Sequence, residues 1–320
     1  MTANSSAAGY VTVVGTLNVD HVWRVPRIPR PGETVLADAV ERQFGGKGAN
    51  QAIAAARQGC RVRMIGAVGD DADGACYRER LASEGVVVDH LHTAEGVATG
   101  TAHVYVDPHG ENLIVVDRGA NARLDEDKVR FALDRTLHDT TILLLQLETP
   151  RDAVLAALRM AEAADVRSLL NASPAARDFP WGEIAIDTVI VNESECRESF
   201  GFAADDLGRL DSAGRVQLCG CLKVSHVIVT RGSRATLHLS PTGVSHVPTF
   251  PVTPRDTVGA GDTFAGVLAS RLAACMPREQ AIREANVAAA LSTLSSGAQP
   301  GMPTNATVAL TLASAPPSAG

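Results

Sequence analysis

No stretch of this 320-residue sequence approaches the roughly 20 consecutive apolar residues of a membrane-spanning helix, so none is expected. The opening residues, MTANSSAAGY, carry neither a basic start nor an apolar run. That leaves no sign of a secretion signal and points to a cytoplasmic protein. An excess of positive charge is missing too. Lysine and arginine total 29 against 36 aspartates and glutamates, a formal net charge of −7. Such a balance argues against a nucleic-acid or anionic-membrane surface. Cysteine is sparse and without framework spacing: Cys60, Cys76, Cys196, Cys219, Cys221 and Cys275. Cys219-Gly-Cys221 lacks the second Cys or His pair of a metal site, so all six are expected as thiols in a reducing compartment. There is no internal repeat, and no familiar nucleotide loop. GGKGAN (Gly45–Asn50) lacks the Ser or Thr after lysine and the distant first glycine of a Walker loop, and GAGDTF has Phe264 where a dinucleotide fingerprint needs Gly or Ala.

What is present is an alternation. YVTVVG, RVRMIGAVGDD, TTILLLQLE, SLLNASP, DTVIVNESE and SHVIVTRGS read as buried strands. Between them lie segments such as Arg151–Ala164, with Val154, Leu155, Leu158 and Ala161 at helical spacing. Strand and helix in succession predict an α/β fold: an open, mostly parallel sheet flanked by helices. Two stretches break the rhythm, at about residues 21–40 and 100–116. Both alternate apolar and polar residues around turn signals at Pro31-Gly32 and Pro108-His109-Gly110. They read as antiparallel hairpins forming a small β-sheet that stands off the main body as a lid or an interface. The whole is expected as one domain, with a small, proline-rich tail over 313–320 that reads as disordered.

In open α/β sheets, ligands bind beyond the carboxyl ends of the strands. Asn18 and Asp20 follow the first strand, Glu148 ends another, Asn192 and Glu195 follow a third, and Thr230, Gly232 and Ser233 a fourth. Turn and cap residues also collect at such points, but several on one edge suggest an active site. In RDTVGAGDTFAGVLASRLAAC, the stripe Phe264, Val267, Leu268, Leu272 and Cys275 predicts a helix starting near Asp262. Gly259, Ala260 and Gly261 leave bare N–H groups at its positive end, suited to a phosphoryl group. Asp262 can then accept a proton from an attacking hydroxyl, although the same residue suits an ordinary helix cap.

These residues, with GTLNVDH, PRPGET, FGGKGANQAIAAARQG, GAVGDD, LLQLETP, NASPA, NESE, TRGS, DTVGAGDTF and SGAQPGMP in order, resemble the ribokinase branch of the phosphofructokinase-B family of sugar kinases. The likeness runs from about Val11 to Pro303. It implies a ribokinase-like fold and transfer of the ATP γ-phosphoryl group to the 5-hydroxyl of D-ribose. Asp262 matches the family's base, beside an anion hole of Gly259, Ala260 and Gly261. Sugar contacts carry over to Asn18, Val19, Asp20, Gly46, Lys47, Gly48, Asn50 and Glu148, and the opening glycines would let the backbone approach the ring. ATP contacts carry over to Asn192, Thr230, Arg231, Gly232, Ser233, Arg234, Ala235, Gly261, Asp262 and Asn286. Glu195 matches an acidic residue that helps organise magnesium, through water. Asp256, Val258, Ser292, Ser295, Gly297 and Gly301 match the surroundings of a monovalent cation, usually potassium.

Two departures stand out. Gly301 occupies a position where the family often offers a serine oxygen, and Ala235 replaces a glycine, which would crowd the nucleotide if φ there had to be positive. The resemblance further implies a homodimer formed through the lid, with Val22, Val25, Val104 and Val106 exposed. Within the class, 2-deoxyribose, a ketohexose such as fructose, or a nucleoside such as adenosine are alternative substrates; Trp23 and Tyr105 could supply a slot for a base. A non-catalytic sugar or nucleotide sensor is the alternative from another class. It would have no need to keep Asp262, the glycine nest and Glu195 together.

Overall fold

The computed structural model describes residues 9–314. Nine strands form the main sheet and four form a second, smaller one. In chain order the strands are β1 (Tyr10–Val14), β2 (Asn18–Arg24), β3 (Ala39–Gly45), β4 (Val62–Gly69), β5 (Val86–Ala94), β6 (Gly100–Val106) and β7 (Asn112–Asp117). They continue as β8 (Thr140–Gln146), β9 (Arg167–Asn171), β10 (Ile186–Asn192), β11 (Val224–Arg231), β12 (Arg234–Ser240) and β13 (Gly243–Val247). The main sheet runs β13-β12-β11-β10-β9-β8-β1-β4-β5. It is parallel from β11 to β5, and β12 and β13 add an antiparallel edge.

Helices cover both faces, and the strands supply both with apolar side chains by simple alternation. Ile142 and Leu144 of β8 join one core with Ile53, Phe264, Leu268 and Ile282. Leu143 and Leu145 join the other with Val129, Val154, Leu158 and Leu207. The first core lies under α1 (Lys47–Ala56) and α2 (Ala72–Ser83), and the second under α3 (Glu126–Leu133), α4 (Arg151–Ala163), α5 (Glu193–Phe200), α6 (Ala204–Gly208) and α7 (Ser212–Leu222). The first is completed by α8 (Ala260–Ala273), α9 (Arg278–Ser292) and α10 (Asn305–Ser314). Ala313 and Ser314, placed by sequence in a loose tail, end α10; residues 315–320 lie outside the described ones.

The small sheet runs β3-β2-β6-β7. Its two hairpins are joined by a parallel pairing of β2 with β6, which sequence alternation alone does not show. The first hairpin is also placed differently from the 21–40 expected. β2 already begins at Asn18, and β3 extends to Gly45, with a long loop between that turns at Pro31-Gly32. Asn18 and Asp20 therefore belong to the lid strand itself, and β3 runs directly into α1.

Candidate active site

The glycines before α1 are explained by the protein's own backbone. Gly46, at φ 85°, could not carry a Cβ without meeting Asn18 N at 2.7 Å and Thr16 O at 2.8 Å. A Cβ on Gly48 would meet Gly15 C and Thr16 N, both at 2.6 Å. One on Gly45 would strike the Asp20 carboxylate at 2.1 Å. What comes close to the glycines is thus the crossing from β1 to β2, so the start of α1 is locked onto the segment that carries Asn18 and Asp20. Asn121 fixes that segment further, accepting from Leu17 N (2.9 Å) and donating to Leu17 O (2.9 Å) and Asn18 Oδ1 (2.8 Å). Val19 is different: its side chain is fully buried in the core.

Three carboxylates converge beside this lock. Glu148, just beyond β8, accepts from Thr16 Oγ1 at 2.6 Å and from Lys47 N at 3.4 Å. Asp20 is pushed up to about 7; burial raises it first, and the charges of Glu148 and Asp262 raise it further. Lys47 is the counter-charge. Burial pushes its ammonium down, but Asp262, Glu148 and Glu195 outweigh that, and the net shift is upward. Lys47 is therefore held in the midst of these acids as a cation.

Asp262 is buried in the first turn of α8. Its Oδ2 accepts from Asn50 Nδ2 at 2.9 Å and its Oδ1 from Gln51 Nε2 at 3.0 Å. The glycines ahead of it differ in purpose. Gly259 takes φ 78°, and a Cβ there would meet Ala298 at 2.7 Å. Gly261 has nothing within 4 Å of an added Cβ, so packing does not ask for glycine there. Its bare face opens instead onto two cavities that it lines in common with Asn192 and Thr230. The N–H of Ala260 is turned back to Thr257 O at 3.2 Å.

The smaller cavity, about 210 Å³, is lined by Lys47, Asn171, Glu195, Gly259 and Asp262 besides the shared residues. The larger, about 650 Å³, is a groove with Phe250, Pro251, Val252 and Phe264 on its walls, and Gly232, Ser233, Ala260 and Asn286 among its lining. Arg231, Arg234 and Ala235 do not line it. Arg231 bonds Asp205 (3.0 Å) and Ala235 O (2.6 Å), while Arg234 pairs with Glu193. Ala235 lies in extended β12 and is not among the positive-φ residues, so its methyl strains nothing; the left-handed position is Gly232, at φ 59°. Asn286 faces the groove with its polar atoms already engaged, by Thr236 Oγ1 (2.7 Å), Val247 O (3.2 Å) and Pro248 O (3.1 Å). Glu195 and Asn192 form a reciprocal capping box at the start of α5, each bond 2.8 Å.

Farther along, Asp256 accepts from Val258 N (3.0 Å) and Gly297 N (2.8 Å), tying two loops together. Gly301 approaches the C-terminal end of α9 so closely that a Cβ would lie 2.3 Å from Ser292 O. Ser295 and the Val258 side chain are exposed, and Ser292 is buried. Among the described residues no group of three or more His, Cys, Asp or Glu side chains could hold a metal by themselves.

Sequence reasoning missed Thr16, Gln51, Asn121, Gln146, Asn171 and Gln299, all polar and buried at the site. A signal existed for some. Gln51 interrupts an alanine-rich helix face and Gln146 ends an unbroken apolar strand, where an amide needs a partner.

Comparison with known proteins places the chain in a family. The family model described as pfkB family carbohydrate kinase matches residues 8–305. The chain is 36% identical to the ribokinase of Haemophilus influenzae over 296 residues, covering 92% of this chain and 95% of that one. It is 32% identical to a deoxyribokinase of Salmonella typhi, covering 92% and 95%. The structure of Arabidopsis thaliana ribokinase complexed with ribose and ATP superposes with a TM-score of 0.85 at 29% identity, covering 97% of this chain and 100% of that one. With an Asp262-tipped helix where two cavities meet, and this likeness over nearly its full length, the chain belongs to the pfkB family of carbohydrate kinases, ATP-dependent phosphotransferases.

Proposed function

We propose that the protein phosphorylates the 5-hydroxyl of D-ribose, giving ribose 5-phosphate and ADP. The observation that carries this reading is the position of Asp262, buried on the wall of the smaller cavity next to Gly261, which lines both, and within electrostatic reach of Asp20 and Lys47. Asn18, Asp20, Asn50 and Glu148 are hydrogen-bonding groups suited to a ring of hydroxyls. The apolar walls of the larger groove suit a nucleotide base, and the side at Asn192, Thr230 and Gly261, shared with the smaller cavity, suits the phosphates. The sugar oxygen bonds to the γ-phosphorus as the bond to the β-phosphate oxygen breaks. The hydroxyl proton passes to Asp262 as the new bond forms. The start of α8, with Gly261, faces the phosphoryl charge, and Lys47 adds a cation at the same cavity. The capping box and the contacts of Asn286 give Asn192, Glu195 and Asn286 structural duties beside these.

Two ions fit the residues present. Glu195 lines the smaller cavity as a hard oxygen donor, a suitable partner for magnesium held through water. Asp256, with main-chain oxygens of Val258, Ser292, Ser295 and Gly297, is an all-oxygen set next to the negative end of α9, which suits potassium. Gly301 approaches Ser292 O too closely for a serine in the same backbone position. Magnesium would neutralise phosphate charge, and potassium would steady the loop before α8.

The lid supports a homodimer, though not through the residues expected from sequence: Val25 is buried and Val22, Val104 and Val106 are half-buried. β7 is an edge strand exposed along its whole length, with Leu113, Ile114, Val115 and Val116 between 44% and 55% exposed. Six unpaired cysteines fit a cytoplasmic setting. The deciding experiment is ADP release from ATP and magnesium with D-ribose, 2-deoxyribose, fructose and adenosine, each with and without potassium. Ribose should lead and respond to potassium. Another leader reassigns Asn18, Asp20 and the lid; silence on every sugar with retained binding turns the reading to a sensor.

A further inference from the structure

The two hydrogen bonds on Asp262 are one end of a longer chain of buried amides. An ionised carboxylate can only accept, so Gln51 must present its NH2 to Asp262 Oδ1. The same Nε2 also reaches Asn171 Oδ1 at 3.0 Å. The oxygen of Gln51 is thereby turned away, where it accepts from Gln146 Nε2 at 2.8 Å. Gln146 must follow suit, and its own oxygen points towards Gly15, buried and without a hydrogen-bond partner. Turning Gln146 around would set its oxygen against that of Gln51. The orphaned acceptor is thus the cost of a direction imposed from the Asp262 end. Gln51 and Gln146 are both shielded from solvent.

We propose that Gln51 is a positioning residue for Asp262, and that Gln146 fixes the direction in which Gln51 points, so that the pair holds Asp262 as an oriented carboxylate ready to receive the proton. The inference rests on Asp262 being the base. The other titratable groups facing Asp262 are Asp20 on β2, Lys47 on α1 and Tyr77 on α2, with Glu148 and Glu195 acting on Lys47. Of these, Asp20 titrates in the working range, and it is placed to act on sugar binding. Rates saturated in sugar therefore remove the contribution of Asp20 to binding.

The test is kcat and sugar KM from pH 5 to 9, with the best sugar of the panel, for the parent, Gln51→Met, Gln146→Met and Asp262→Asn. Loss of the Gln51 donor should move the acidic limb of kcat upward by about one pH unit, while kcat at pH 9 stays within about threefold and sugar KM within about twofold. Gln146→Met should move the limb the same way by less, since Gln51 then loses only its direction. An unmoved limb in folded variants, or an equal loss of kcat at every pH, with Asp262→Asn still inactive, overturns this proposal and leaves the base intact. Near-parental turnover of Asp262→Asn overturns both. If Gln51→Met does not fold, Gln146→Met decides alone, because it leaves both donors to Asp262 in place.

Discussion

Asn50 and Asp262, 212 residues apart in sequence, are joined by a bond from Nδ2 to Oδ2 at 2.9 Å. Asn50 also accepts from Gln299 Nε2 at 3.1 Å, and Gln299 in turn bonds Tyr77. The start of α1, the start of α8 and the loop after α9 thus share one buried polar network. Its members are buried and fix the carboxylate, an arrangement that would suit the proposed proton acceptor.

The first expectation concerns that carboxylate. Asp262→Asn keeps the shape and can still hydrogen-bond, but it cannot take the hydroxyl proton. Turnover should fall by about 10²–10⁴-fold, with sugar and ATP KM little changed. Steady-state kinetics with a melting curve to confirm the fold would check it. An unchanged kcat would remove Asp262 from the chemistry.

The glycines provide a paired test of stability against activity. Gly46→Ala forces a Cβ into Thr16 and Asn18 at a left-handed φ, and should destabilise by about 2–4 kcal/mol. Gly261→Ala meets nothing in the protein and stands in a helix, so stability should hold or rise by up to about 1 kcal/mol. Its methyl would instead enter the space shared by both cavities, and kcat should fall at least about tenfold, the loss of a well-aimed anion contact. Denaturant melts and kinetics on both variants separate the roles. A stable, fully active Gly261→Ala would show that the cavity does not hold the phosphoryl group.

Much of this was readable in the sequence because the physics was local. Strand runs such as ILLLQ and helix stripes such as that of α4 need only their own periodicity. The alignment of Asn18, Glu148, Asn192 and Thr230 on one edge follows from chain direction in a parallel sheet. The pairing of β2 with β6 was not readable, because no local signal joins residues about 80 positions apart. The same holds for Gln51 and Gln146, whose meaning depends on partners about 95 and 211 residues away. Where Arg231 and Arg234 point was not readable either: their motif lies next to the groove, but the side chains turn to Asp205 and Glu193.

The lid makes a prediction about assembly. Val115 is 55% exposed in the middle of β7, so Val115→Asp should cost the protomer no more than about 0.5 kcal/mol. In a lid-paired dimer the same charge would be buried against apolar strands, and the variant should sediment as a monomer. A parent protein that is already monomeric at micromolar concentration would count against pairing through the lid.

Asp20 gives the protein a pH dependence whose sign can be worked out. Its folded value of about 7 lies above the ordinary 3.8, so between those values the folded chain binds a proton that the unfolded chain does not. Stability from this group is therefore fully present below the unfolded value and is lost as pH rises through about 7. Asp20→Asn should flatten that slope, raising the melting temperature at pH 8 more than at pH 5. Sugar should act in the opposite direction. Hydroxyl donors favour the ionised carboxylate, so binding should release a proton near neutrality and tighten about tenfold from pH 6 to pH 8. Calorimetry in two buffers of different ionisation enthalpy measures the released proton directly. Sugar affinity that is flat across this range, or equally steep in Asp20→Asn, would mean that Asp20 does not meet the sugar.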